Sequence, residues 1–430
     1  MSNKKELQQD TTREEMISIK KIEYFLFLFL AFTAYFLPAE IAFVIAFLGI
    51  IVAQGKGARR QEALRILKWP IILLPIGLVN AYQNDSYSVL KDIYYFVNPI
   101  IVFCFGYLFA YYFSLFKFLK TIIILGGLLA VVYVVIYLLG GDYDSVAQRK
   151  DEEGLASYFV VFSIVLLILQ RKRMFFPKPV LVLLFVILVF AAIVSQSRTF
   201  LLVFILFMIF GTGQLTFNKY FFLKFIGTSL VVMAIIAAIY SIDTTGRDTF
   251  MGKLGDSFSE MVVSDYTSKR EMYGHWRGFE AYIGLKQMQR GSLFEWIVGQ
   301  GFGAVAPLGF YQELDGTLFS ELPKFHNGYI TILLKTGILG FFIYIMFFLK
   351  LIISNLKETF YINREYELSK NLIIGLSAVL LGTTAVVAGW LNQSSMLPFI
   401  FGLGFMIKAK ELIYKKYQVQ IIEEKIISAE

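Results

Sequence analysis

Long apolar runs separated by short polar breaks repeat along almost the whole chain. A bilayer core takes about 20 helical residues per crossing. On that measure the pattern predicts spans at 22–37, 39–53, 66–81, 93–113, 121–140, 155–170, 178–195, 199–213, 225–242, 326–350, 371–389 and 396–409, about a dozen in all. The pair around Leu37-Pro38-Ala39 also reads as one broken hairpin, and the pair split at 195–198 leaves a very tight turn. The segment 243–325 breaks the pattern: it is rich in Gly, Asp, Ser, Glu and aromatic residues. Within it 276–297 has Phe279, Tyr282, Ile283 and Leu285 among polar positions, and part of it reads as an amphipathic helix lying on a membrane surface. Three regions follow: a transmembrane bundle over 1–242, a large loop over 243–325, and transmembrane helices with a tail over 326–430.

The distribution of charge orients this map. With the polar first 23 residues inside, basic residues gather in the inside loops 56–68, 117–120, 171–178, 219–224 and 350–370 and in the tail 408–425. The short loops on the other side carry only Lys91, Arg149, Lys150 and Arg198. This is the positive-inside pattern. It predicts both termini in the cytoplasm and 243–325 outside. No cleavable signal peptide is apparent, and the first run reads as a signal anchor.

Composition agrees. The chain is 57% hydrophobic and 17% charged, with mean hydropathy +0.65 and 44 Phe in 430 residues. A soluble protein of this length cannot hide so much apolar surface. The net charge of +8 is accounted for by membrane orientation, so no nucleic-acid partner is expected. The single cysteine, Cys104, allows no intramolecular disulfide, and two histidines with one cysteine make a poor set of transition-metal ligands. No metal or cofactor is expected.

Candidate chemistry concentrates at the start of the run at 326. His326 and Asn327 open it, and Gly337 and Gly340 follow among apolar residues. A histidine at the mouth of a span is placed to take a proton from a hydroxyl; the plainer alternative is a residue that caps the helix. Arg198 sits in the tight turn SQSRTF, fit to bind a phosphate bidentately or merely to set span depth. Arg149 lies among Asp151, Glu152 and Glu153, where a solvated charge cluster is the alternative. Arg270 and Arg277 would share a face if 270–277 is helical. They suit a pyrophosphate, or they pair with Glu271 or Glu280. His275 is the rival histidine. Gly299 to Gly303 (GQGFG) lacks the setting of a nucleotide loop and reads as a tight turn back toward the membrane. Lys335, within a span, needs a cavity or a carboxylate, with Glu40 as a candidate partner.

In order, these features are an SRT turn between spans, a long loop with paired arginines, a GxGFG turn, and then HNGYITILLKTGILG. The combination resembles the O-antigen ligase/polymerase superfamily of bacterial envelope enzymes, best over about residues 190–345. The resemblance implies an all-α polytopic membrane protein similar to C-type glycosyltransferases, with one large extracytoplasmic loop, in the bacterial inner membrane. It implies an undecaprenyl-diphosphate-linked glycan as donor, with membrane lipids and a chain-length regulator protein as further partners. His326 would be the general base, and Arg198, Arg270, Arg277 and Arg149 would hold the diphosphate. Loop aromatics such as Tyr266, Tyr273, Trp276 and Trp296 would stack on sugars.

The form of the motif after His326 is more like that of polymerases of O-antigen, capsule or exopolysaccharide than of a ligase that transfers glycan to lipid A core. A flippase for the same lipid-linked glycans is the reading from another class. It calls for charged residues lining the spans and for related halves, whereas nearly all charges here sit at loop ends and no internal repeat is evident. A non-catalytic scaffold for envelope assembly would have no need of His326.

Overall fold

The computed structural model describes residues 39–52, 58–139, 158–169, 176–195, 197–213, 227, 266, 272, 275–314, 317–392 and 395–427. The predicted spans at 22–37 and 225–242 (Gly227 apart) lie outside the described residues, as do Tyr273, Arg149 and Arg270. The helices are α1 (Ala39–Val52), α2 (Ala58–Ile66), α3 (Lys68–Leu78), α4 (Ser86–Phe109), α5 (Leu115–Leu139), α6 (Tyr158–Leu169), α7 (Lys178–Ser195), α8 (Arg198–Gly211), α9 (Trp276–Gln289) and α10 (Leu293–Val298). A hairpin of β1 (Ala306–Leu314) and β2 (Thr317–Leu322) follows, then α11 (Gly328–Lys357), α12 (Arg364–Val387) and α13 (Leu397–Ile427). Among the described residues, four helices are long and apolar enough to cross a membrane: α4, α11, α12 and the stretch Leu115–Val135 of α5. The expected class of an all-α membrane protein agrees with this mostly helical chain.

Helix ends depart from the apolar runs for a physical reason: hydropathy marks what lipid can cover, whereas capping marks where a helix begins. The run at 93 belongs to a helix that starts at Ser86, where Asp85 accepts the Ser88 amide at 2.9 Å. The run at 371 belongs to one that starts at Arg364, capped by Asn363 on the Tyr366 amide. The run ending at 409 continues as helix to Ile427.

The phenylalanine excess does more than face lipid. Phe103, Phe105, Phe118, Phe162, Phe401 and Phe405 are fully buried between helices, with Phe118 stacked on Phe405 at 3.9 Å between ring centres. Helices α4 and α13 pack closely because Gly106 and Gly404 leave room for the facing backbones at Phe401 and Phe103.

At the end of the bundle away from His326, Lys408 is fully buried. It pairs with Glu62 at 2.5 Å and Glu411 at 3.0 Å, beneath the rings of Tyr107 and Tyr111. The hydrogen bond from Lys408 holds the Glu62 carboxyl down at about 2, against an ordinary 4.5. A carboxyl lowered in this way contributes stability that is present above the unfolded value and lost as pH falls through the folded one. Melting of the purified protein should therefore become easier between pH 4.5 and 2. Glu62→Gln should lose part of that acid dependence, read as the difference between the two melting curves. Equal dependence in both proteins would contradict the assignment.

The chain before α11 departs from the expected loop of helix and coil. Residues 306–322 form an antiparallel hairpin, with Leu314 facing Thr317 and an irregularity in register between Pro307 and Gln312. The predicted surface helix resolves into two with different surroundings. In α9, Phe279, Ile283 and Met288 are buried against the hairpin and α11, in a core shared with Leu308, Leu322, Phe325 and Leu334. The exposed apolar positions belong instead to α10, at Leu293, Phe294 and Ile297.

Candidate functional site

The GQGFG turn sets the position of everything after it. Gly299, Gly301 and Gly303 all have positive φ, which glycine adopts without strain. The turn's backbone groups are met almost one by one. Asn80 Nδ2 donates to the Gly299 carbonyl at 2.7 Å, and Asn84 Nδ2 to the carbonyls of Gln300 and Phe302 at 2.9 Å each. The Phe302 amide donates to Gly77, and the Gly303 amide to Asp92 Oδ2 at 2.6 Å.

The turn also docks on α11. The helix breaks at Gly337 (φ 65, ψ −169), and the Leu334 carbonyl before the break accepts the Gln300 amide at 2.8 Å. At Gly299 an added Cβ would lie 2.5 Å from the Lys335 carbonyl carbon, so no other residue fits there. Lys335 is fully buried, pairs with Asp92 at 2.6 Å and donates to the Ala304 carbonyl. The expectation of a carboxylate partner is met, but by Asp92 and not by Glu40, which is exposed in the first turn of α1. Asp92 lies one residue before the predicted span at 93–113, so hydropathy alone does not bring it to the buried end of α4.

From this anchor the hairpin returns the chain to His326. Asn327, not His326, caps α11: its Oδ1 accepts the amides of Tyr329 at 3.0 Å and Ile330 at 3.4 Å. The capping alternative for His326 therefore falls away, and the imidazole is left for other contacts. Its Nδ1 lies 2.9 Å from Glu280 Oε2 and 3.0 Å from Oε1, and its backbone amide donates to the same carboxylate at 2.9 Å. Glu280 is 3% exposed, whereas the His326 side chain is 53% exposed. A buried carboxylate thus fixes one ring nitrogen and leaves the other on an open face. The His326 carbonyl accepts the amide of Ala388, which alone among described non-glycine residues has positive φ (60). Gly328 lets that backbone come close.

Glu280 was considered in the sequence only as an arginine's partner. Forty-six residues separate it from His326, and nothing in periodicity links the two. The arginines divide. Arg149 and Arg270 lie outside the described residues. The α9 helix begins at Trp276 with His275 at its N-cap, and the expected pairing of Arg270 with Arg277 on one helical face falls in part on residues outside those described. Arg277 stands one turn before Glu280 on α9, half-buried. Its charge acts on the hydroxyl of Tyr158 at the start of α6, which bonds the Thr199 side chain. Thr199 follows Arg198, the first residue of α8, with Ser197 capping that helix on the Phe200 amide. The starts of α6 and α8 therefore adjoin, and Arg277, one turn before Glu280 on α9, lies within electrostatic range of them.

Compared with models of protein families and with curated proteins, the chain finds no match in either.

Proposed function

We propose that this protein is a membrane glycosyltransferase that polymerises undecaprenyl-diphosphate-linked oligosaccharide repeat units, as the resemblance to the O-antigen ligase/polymerase superfamily implies. The observation that carries the proposal is the half-exposed His326 imidazole held through Nδ1 by the buried Glu280 carboxylate. In this reading the protein crosses the bacterial inner membrane about twelve times with both termini inside. The 243–325 loop and the His326 end of the bundle then face outward, and the repeat units become O-antigen, capsule or exopolysaccharide.

The chemistry is a single displacement. In the neutral ring, a hydrogen bond from Nδ1–H to Glu280 selects the tautomer whose Nε2 carries the lone pair that faces the acceptor hydroxyl. As the acceptor oxygen bonds the donor's anomeric carbon, its proton passes to Nε2. The bond from that carbon to the diphosphate breaks, and the electron pair leaves on the phosphate oxygen. Arg277 and Arg198 meet that growing charge with guanidinium groups that stay charged throughout. Arg149 and Arg270 are assigned to the same diphosphate by the resemblance. The imidazolium returns its proton to water.

The test is synthesis by the purified full chain in lipid nanodiscs, supplied with lipid-linked repeat units and scored as a ladder of chain lengths. A ladder supports the reading, and no product longer than one unit overturns it. A deletion strain separates the neighbours of this reading. Core carrying one repeat unit marks a lost polymerase. Bare core with long lipid-linked glycan marks a lost ligase. Unpolymerised units trapped inside mark a lost flippase.

A further inference from the structure

Two lysines at the His326 end of the bundle take no part in the displacement described above. Lys324 lies two residues before His326, partly buried, with its Nζ donating to the Leu391 carbonyl at 3.0 Å. The same short segment, 388–391, supplies the amide that holds the His326 carbonyl. Lys324 and His326 are thus fixed side by side on one support. The Lys324 ammonium sits 4.6 Å from the ring centre of Tyr95 on α4, and Lys91, one turn earlier on α4, is 6.0 Å from the same ring.

The charges around them do not cancel. Asp92 is the nearest carboxylate acting on Lys324, but its carboxylate is taken by Lys335 and by the Gly303 amide. Among the described residues, neither Lys91 nor Lys324 has a carboxylate within ion-pair distance. Burial pushes the Lys324 amine down to about 8, against the pull of Asp92, and Lys91 adds to the fall. Asp92 and Glu40 both act on the Tyr95 hydroxyl, yet among the described residues neither is paired with the exposed Lys91 or the partly buried Lys324, and two like charges on one ring favour an anion that joins them.

This locus is separate from the arginines. Arg277 and Arg198 reach the site from the starts of α9 and α8, and α8 packs on α12. The lysines meet instead on Tyr95 of α4, a helix that packs on α13 and α1. The Glu280–His326 pair joins the two, with Arg277 three residues before Glu280 and Lys324 two before His326.

We propose that Lys91 and Lys324, over Tyr95, form a second anion site that binds a lipid-borne phosphate headgroup, that of the acceptor strand in glycan polymerisation. This rests on the polymerase reading, in which both substrates carry a diphosphate and must meet at one base. A ligase acceptor enters as a lipid A core and would not require a second polyprenyl-diphosphate site.

The experiment is amine acylation of the intact chain in phosphatidylcholine nanodiscs, read residue by residue by mass spectrometry, with Lys286 on α9 as the exposed internal control. Undecaprenyl diphosphate at about ten times its Kd should slow acylation of Lys91 and Lys324 about tenfold and leave Lys286 unchanged. The same protection is expected in His326→Ala, since binding needs no chemistry. Phosphatidylglycerol is the competing source of a lipid phosphate, and equal protection by it would overturn the acceptor assignment. Absence of protection by undecaprenyl diphosphate, in a protein that still makes polymer, would overturn the site and spare the polymerase reading. Protection in a protein that makes no polymer would spare the anion site and overturn the polymerase reading together with the acceptor assignment.

Discussion

His326→Ala should reduce polymer synthesis by about two to four orders of magnitude, the usual contribution of a positioned general base, while the protein accumulates at the normal level. The side chain is half-exposed and its removal leaves the helix cap on Asn327 intact. A loss of fold is therefore not expected. Glu280→Gln is the companion measurement. It keeps the size of the side chain and a carbonyl that can accept from Nδ1–H, but removes the negative charge that faces the imidazolium. Its effect should be smaller than that of His326→Ala, and the double variant should be no worse than His326→Ala alone, because the two act as one unit. If His326→Ala makes ladders of normal length at normal protein level, the assignment of the base is wrong. If the two single losses multiply in the double variant, Glu280 acts by a route other than His326.

Lys335→Met should be the most damaging single change to the fold among the substitutions considered. It leaves the Asp92 carboxylate buried with one backbone amide and without its direct ion-pair partner, the Lys324 charge acting only at longer range. Stranding one member of a buried pair typically costs about 3–5 kcal/mol, a large share of the stability of an ordinary domain. The expected readout is loss of most folded protein from the membrane fraction, with the detergent-extracted remainder melting at lower temperature. Adding Asp92→Asn to Lys335→Met removes the stranded charge, and the amide can still accept from Gly303. The double variant should recover much of the yield. A single variant that melts like the wild type would show that the pair contributes nothing, and a double variant no better than the single would place the damage elsewhere.

The helices were largely legible because lipid imposes the simplest of sequence rules, a run of apolar residues. What the rule cannot give is where a helix outruns its lipid. Asp92 shows the cost of that gap: it lies one residue before the predicted span, and Glu40 was named as the partner of Lys335 instead. The hairpin has only a short local signal, Asp315-Gly316 between two mixed strands, which the span-and-surface-helix reading of the loop does not use. At the site, His326 and GQGFG stood out because their residue types are uncommon in this chain. Glu280 did not, since a glutamate in a mixed helix looks like any solvated charge until folding buries it. Lys324 escaped notice for the same reason. Its character comes from Tyr95 and Lys91, more than 200 positions earlier, and no local pattern carries that information.

The clasp around GQGFG has a consequence for the order in which the chain can mature. Asn80 finds its partner at Gly299, 219 residues later, and Asp92 waits longer still for Lys335. At a synthesis rate of about 5–20 residues per second, that interval is roughly 10–40 s. During it the first helices are already made but hold polar side chains with no internal partners. Those helices can be inserted early, but their final packing is postponed until the segment 299–335 arrives. Chains truncated before Lys335 should therefore remain open, held in the membrane by hydrophobicity alone and exposed to quality-control proteases. Assembly of the candidate site is then a late event, since its anchor at Gly299, His326 and Lys335 all arrive within one short stretch of chain.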